Sequence, residues 1–200
     1  MKRYCLYLFI LIGISCSAEL KAQKNGTVYK GNDPAVRYTG RTLVSPDGSV
    51  AFDWVGTYLE TRFTGGKLSV KVSETGTSYY NVFVDGKLHK VVKVCGTDTL
   101  IHLVSGIDKR IHSLKIQKRS EGEFGKTTVH QFVLSGSGRL AEEPAVRTRH
   151  IEFIGNSLTC GYGTDGKHRD EPFLVETENC NLTFASMVCL LYTSPSPRDS

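Results

Sequence analysis

The sequence predicts a mainly β N-terminal half, folded as a jelly-roll sandwich, followed by the start of an α/β flavodoxin-like domain. Three observations support this. Between Val28 and Leu134, short segments of alternating apolar and polar residues recur with turn residues between them, and no stretch carries the period of an amphipathic helix. Glycine, serine and proline then cluster between Ser135 and Pro144, the composition of a domain boundary. Beyond it, the apolar run Ile151-Glu152-Phe153-Ile154 stops abruptly at Gly155-Asn156-Ser157, and a helical pattern returns from Leu182 to Val188. Strand, glycine-flanked loop and helix form the opening unit of an open α/β sheet.

In chain order, the first element is an export signal. Lys2 and Arg3 make a basic n-region, Leu6 to Ile14 an apolar h-region, and small and polar residues follow up to Ala22. The apolar run is too short to span a bilayer. Residues 1–22 are therefore predicted to be a signal peptide cleaved after Ala22, which places the protein in the periplasm or outside the cell. A lipoprotein alternative would use Cys16, but the leucine customary three residues before such a cysteine is missing.

Residues 24–140 are predicted to form the sandwich. Ser45-Pro46-Asp47-Gly48 is a turn, with proline fixing one φ and glycine allowing a positive one. Phe52, Trp54, Tyr58 and Phe63 enrich the next segments in aromatic rings. Thr64-Gly65-Gly66 is expected to break the chain before Leu68, Val70 and Val72, which alternate with Lys67, Ser69 and Lys71. Asp85-Gly86 suits a two-residue type I′ hairpin turn. Segments at Thr99–Val104, His112–Lys118 and Thr127–Leu134 complete the series. An exposed aromatic face could stack on a sugar ring, yet Trp54, Tyr58, Tyr79 and Tyr80 are each expected to pack the core or cover an edge.

The second domain is predicted to begin near Arg147 and to run as a fragment over 147–188. A serine placed beyond the end of a buried strand, with glycines around it, can be approached by a bulky substrate. It can also offer its own N–H to a developing oxyanion. Asn179 or Asn181 is a candidate cap for the following helix. Cys189 to Asp199 matches, over eleven consecutive residues, the translation of a transposase-based sequencing-library adapter. Residues 189–200 are thus expected to be foreign to the natural chain, which would continue beyond Val188.

Gly155, Ser157 and Thr159 resemble block I of the GDSL/SGNH hydrolases, Gly-Asp-Ser-x-(Ser/Thr), with Asn156 in place of the usual aspartate. Cys160-Gly161-Tyr162-Gly163 and Thr177-Glu178-Asn179-Cys180, with Phe52-Asp53-Trp54, Gly56 and Glu60-Thr61-Arg62-Phe63 upstream, narrow the resemblance to carbohydrate esterase family 2. That resemblance covers nearly all of residues 30–188. It implies a jelly roll ahead of an SGNH hydrolase domain, and an acetylxylan esterase-like deacetylation of xylan or a related polysaccharide. It implies Ser157 as nucleophile and oxyanion donor, and Thr159, Tyr162 and Asn179 as substrate-binding residues. The family's base histidine and its two other oxyanion donors fall in later blocks absent from this sequence, so the fragment alone is expected to be inactive. Asn156 is expected to hold the turn by local hydrogen bonding, as an aspartate would. The alternative is a non-catalytic carbohydrate-binding jelly roll.

A serine hydrolase also needs a base beside the hydroxyl. His89, His102, His112, His130, His150 and His168 are poor candidates and are expected to be surface or strand residues. The chain has 25 basic and 20 acidic residues, and trimming both ends leaves it mildly basic. The basic residues are scattered, with no stripe interleaved with aromatics, so nucleic-acid binding has no support. Cys95, Cys160 and Cys180 remain after trimming. An exported chain permits disulfides, and Cys160 with Cys180 would tie the serine loop to the next segment, although spacing does not fix the pairing. No cysteine pair has zinc-site spacing, so no metal is implied, nor is any organic cofactor.

Overall fold

The computed structural model describes residues 26–142 and 151–193. The signal peptide, the lipid-attachment alternative at Cys16, residues 143–150 and the last seven residues lie outside the described residues.

Eight strands form one curled antiparallel sheet: β1 (Gly26–Lys30), β2 (Val36–Thr39), β3 (Leu43–Val44), β4 (Val50–Phe52), β5 (Tyr58–Val84), β6 (Lys87–Lys118), β7 (Thr127–Ser135) and β8 (Arg139–Leu140). The β3–β4 turn forms as predicted. Gly48 at φ +89° donates its N–H to Ser45 O at 2.9 Å, and Asp47 Oδ1 accepts from the Ser49 N–H and hydroxyl. Asp85 and Gly86 both take positive φ, +50° and +74°, and bring Val84 opposite Lys87. That is the geometry a two-residue hairpin of this twist requires.

β5 and β6 differ from expectation. The segments predicted as separate short strands are two continuous ribbons of 27 and 32 residues, paired from Tyr58↔Gln117 to Val84↔Lys87 with repeated register shifts. Thr64-Gly65-Gly66 is a bulge inside β5, where Gly66 at φ +80° pairs with Ile107; a Cβ there would overlap Ser135 O. Such bulges bend a strand and raise its twist. The end of β5 consequently lies between two stretches of β6, with Val82 facing both Lys90 and Ile116. The same curl closes the sandwich by bringing Lys67–Glu74 of β5 against β7. Arg139-Leu140, at the end of the predicted sandwich, pair with Thr64 and Phe63 as β8.

The apolar face of the predicted alternation is buried, but the opposite face is not uniformly wet, since Ser69 and Gln117 are buried too. Leu68, Val70 and Val72 are buried, as are Leu114 and Ile116, around Phe63 and Phe132. Burying each such side chain contributes roughly 1.5–3 kcal/mol. Tyr80 joins this core against Phe52, edge to face at 6.3 Å. Trp54 does not: it is 56% exposed.

Beyond the sandwich, α1 (Ser157–Cys160) is a single turn and α2 (Phe184–Thr193) a longer helix, with 3-10 turns at Val175–Thr177 and Cys180–Leu182 between them. α2 starts two residues later than predicted, and its backbone continues past Val188. Ile151–Ile154 forms no strand, and Ile154 is 92% exposed. A parallel strand needs a neighbour for its ladder, and among the described residues none pairs with this run.

Candidate active site

Ser157 is the first residue of α1. The turn forms because Asn156 stands just before it in extended conformation (φ −111°, ψ −157°), and its side-chain oxygen accepts the Leu158 N–H at 3.1 Å. This is an N-cap, the local hydrogen bond expected of Asn156. Gly161 ends the turn at φ +85°, its N–H donating to Ser157 O at 3.0 Å; the left-handed conformation is costly for any other residue. Thr159 folds back on Gly155 so closely that any side chain at 155 would overlap it. The Gly-x-Ser-x-Thr spacing is therefore a packing unit that presents the serine.

Ser157 is exposed and lines a cavity of about 380 Å³. Gly155, Asn156, Ser157 and Cys160 form one side; Asp53, Trp54, Val55, Glu121 and Gly122 of the sandwich form the other. Among the described residues the Ser157 hydroxyl has no hydrogen-bond partner, and its N–H, as the first of the helix, has no intrahelical acceptor.

A buried polar network fastens the serine segment to the sandwich. Arg119, just after β6, donates Nε to Glu178 O at 2.9 Å and Nη2 to Glu176 O at 3.1 Å, and pairs with the Asp165 carboxylate. Asn81 of β5 donates to Asn179 Oδ1 at 2.9 Å, and Asn179 donates to Asp165 Oδ2 at 3.1 Å. Cys180 Sγ donates to Lys118 O at 3.3 Å. Lys118 is itself buried, held by Ser78 Oγ at 2.6 Å and Gly125 O at 3.0 Å, and burial lowers its ammonium pKa to about 8.

Of the predicted binding residues, Thr159 packs on Gly155, and Tyr162 stacks on Phe173 at 3.4 Å outside the cavity wall. Asn179 is buried with both ends of its amide engaged, so it braces the segment. Cys160 and Cys180, the candidate tie, are free thiols in this structure, with Cys180 turned to the Lys118 carbonyl. Burial pushes both thiols up to about 12, and the Glu121 carboxylate adds to the rise at Cys160.

Glu121, Cys160 and Glu178 offer ligand atoms within 4.8 Å of one another, a grouping invisible in the sequence because the three are far apart along it. Burial raises the Glu178 carboxyl to about 7, and one of its oxygens has no partner. At neutral pH the Cys160 thiol keeps its proton and Glu178 is only partly ionised, which eases the crowded negative charge.

The histidines lie elsewhere, as expected. His102 meets Ser69, His112 bridges Asp85 and Asp108, and His130 meets Ser73; none lines the cavity. His150 lies outside the described residues. Sequence reasoning missed Asp53, Arg119, Glu121 and Glu178 as parts of one site. The one available sign was the charged stretch Lys118-Arg119-Ser120-Glu121, where the apolar alternation of β6 ends.

The jelly roll and the glycine-bounded serine turn thus wall one cavity, with Ser157 on its rim. The sequence model of the carbohydrate esterase 2 N-terminal family matches residues 38–144, and the chain belongs to carbohydrate esterase family 2. It is 32% identical over 156 residues to the cellulase/esterase CelE of Acetivibrio thermocellus, covering 78% of this chain and 19% of that protein. It is 29% identical over 135 residues to an acetylxylan esterase / glucomannan deacetylase of Cellvibrio japonicus, covering 67% of this chain and 37% of that protein. A family two carbohydrate esterase from Clostridium thermocellum, solved in complex with cellohexaose, superposes with a TM-score of 0.74 at 31% identity, over 78% of this chain and 48% of that one. The chain thus spans less than half the length of each of these relatives. No helix among the described residues is long and apolar enough to cross a membrane.

Proposed function

We propose that the protein acts as an exported carbohydrate esterase that removes O-acetyl groups from xylan or a related polysaccharide. The observation that carries this reading is the exposed Ser157 at the head of α1, on the wall of a cavity large enough for sugar. In this reading the Ser157 hydroxyl attacks the acetyl carbonyl carbon, the sugar hydroxyl leaves with a proton, and water hydrolyses the acetyl-enzyme. The Ser157 N–H supplies one donor to the oxyanion. The relatives' esterase and deacetylase names support the substrate class. Export rests on the basic, apolar and small-residue pattern of residues 1–22.

No described histidine borders the cavity, and in this reading the base is supplied by residues outside those described. The 200-residue chain by itself is proposed to be inactive. Acetate release from acetylated xylan by the product of the whole source gene tests the reading. Ser157→Ala is expected to lower the rate by at least a thousandfold with the circular dichroism spectrum unchanged, about 4 kcal/mol of transition-state stabilisation. Retention of activity by Ser157→Ala would exclude the serine mechanism.

A further inference from the structure

We infer that Trp54 is a sugar-binding platform contributed by the jelly roll to the serine cavity, and that it takes a pyranose residue flanking the esterified one. The inference builds on the esterase reading above and assigns the sandwich a direct part in substrate binding.

Trp54 is the single tryptophan of the sequence. A tryptophan is costly to leave in water, yet this one is 56% exposed while the neighbouring Phe52 is buried in the core. It lines the same cavity as Ser157. Its position is fixed at both levels of structure. On the backbone, Trp54 O accepts the Thr57 N–H at 3.3 Å, and Gly56 at φ +79° donates to Lys118 O at 2.9 Å, so the turn is held to β6. On the side chain, the Arg41 guanidinium lies 5.0 Å from the ring centroid, and Arg41 pairs with Glu152 at 3.5 Å, a few residues before the nucleophile. A cation over an indole is attracted by its quadrupole, which biases the ring's orientation.

The remaining cavity chemistry suits a sugar. Aromatic rings combine a large apolar surface with low conformational freedom, and a pyranose presents an apolar C–H face to such a ring. Its hydroxyls donate to carboxylates, and Asp53 and Glu121 line the same cavity. Trp54 follows Asp53 directly, so platform and acceptor are on one turn. A polymer threaded over Trp54 would bring a neighbouring acetyl group to Ser157, whereas a small aryl ester would not need the platform.

Because Trp54 is the only fluorophore of its kind here, its emission reports the site without any turnover. Titrating the 200-residue chain with xylohexaose or cellohexaose is expected to give a saturable shift in tryptophan emission. In affinity electrophoresis through soluble xylan or glucomannan, Trp54→Ala is expected to lose its retardation and Trp54→Phe to keep most of it. In the whole gene product, the ratio of rates on acetylated polysaccharide and p-nitrophenyl acetate is expected to fall about tenfold in Trp54→Ala, equivalent to about 1.4 kcal/mol. An emission spectrum indifferent to both oligosaccharides, or a rate ratio within about twofold of the parent's, overturns the proposal. If the whole gene product released no acetate, the esterase reading would fail, and the emission titration alone would then decide: saturation upholds the sugar platform and a flat response rejects it.

Discussion

Arg119 Nε donates to the main-chain oxygen of Glu178 at 2.9 Å, joining the end of β6 to the segment that follows the serine turn. The Arg119 side chain is only 3% exposed, and its other nitrogens reach Glu176 O, Asn81 Oδ1 and the Asp165 carboxylate. A guanidinium suits this place because its donors diverge in a rigid plane and its charge is never lost. The sandwich and the serine segment therefore share one buried charged junction.

Removing that guanidinium leaves the main-chain oxygens of Glu176 and Glu178 without their donor and the half-exposed Asp165 carboxylate without its cation. Arg119→Ala is expected to destabilise the protein by about 2–4 kcal/mol, the cost of the buried carbonyls left unmet, and Arg119→Lys by less, since an ammonium can meet only part of the fan. Urea denaturation gives the first number. Limited proteolysis gives the location: cleavage between Gly163 and Thr183 should rise well before cleavage in the sandwich. Equal protection of both regions in Arg119→Ala would show that the junction does not hold the serine segment.

Glu178 gives the junction a pH dependence. Burial lifts its carboxyl to about 7, against 4.5 ordinarily, so the native state binds the proton more tightly than the unfolded chain does. Its contribution is intact below about pH 4.5 and is lost as pH rises towards and through 7, up to about 3 kcal/mol in all. Glu178→Gln keeps the shape and an oxygen to accept the Glu121 N–H, which Glu178 Oε2 accepts at 3.2 Å. The variant is expected to match the parent near pH 5 and to exceed it in melting temperature at pH 8. Parallel melting curves for the two proteins across that range would contradict the buried-carboxyl assignment.

How much of this was legible in the sequence depended on how local the cause is. Asp85-Gly86 dictated its own turn, and Leu68, Val70 and Val72 showed their buried face by alternation alone. Gly65-Gly66 was ambiguous, because a glycine pair serves a turn or a bulge equally well; distant partners, Ile107 and the end of β7, decided for the bulge. Ile151–Ile154 carried the composition of a strand, but composition cannot supply the neighbour a ladder needs. Arg119 was silent for the same reason: its partners Asn81 and Glu178 lie 38 and 59 residues away. Trp54 could be weighed for stacking from the sequence, but only the placement of Ser157 across the cavity distinguishes a platform from a core residue.

The serine turn itself should tolerate no side chain at its closing glycine. Gly161 sits at φ +85°, and a Cβ there would overlap the Asn179 carbonyl. Gly161→Ala combines a strained backbone with a steric clash and is expected to cost about 2–4 kcal/mol. Gly163 has a comparable φ of +72° but open space around it, so Gly163→Ala should cost about 1 kcal/mol, the conformational penalty alone. Paired denaturation curves compare the two directly, and equal losses would mean that the approach of Asn179 to Gly161 does not matter.

The cysteines provide a test of the junction that needs no substitution. The proposed export would place the chain where disulfides form readily, and a Cys160–Cys180 bond would then be the ordinary expectation. The structure instead turns Cys180 towards Lys118 O at 3.3 Å and sets Cys160 beside Glu121 and Glu178. With both thiols pushed to about 12, the thiolate fraction of each at pH 8 is on the order of one in ten thousand, and the thiolate is the reacting species. Cys95 is exposed and should react with a disulfide reagent within seconds to minutes, while Cys160 and Cys180 respond only once the protein is unfolded. Non-reducing peptide mapping of the protein isolated from its host should recover Cys160 and Cys180 in separate peptides. A linked pair would show that the segment from Cys160 to Cys180 sits differently against β6, and the hydrogen bonds argued for Arg119 and Asn179 would have to be redrawn with it.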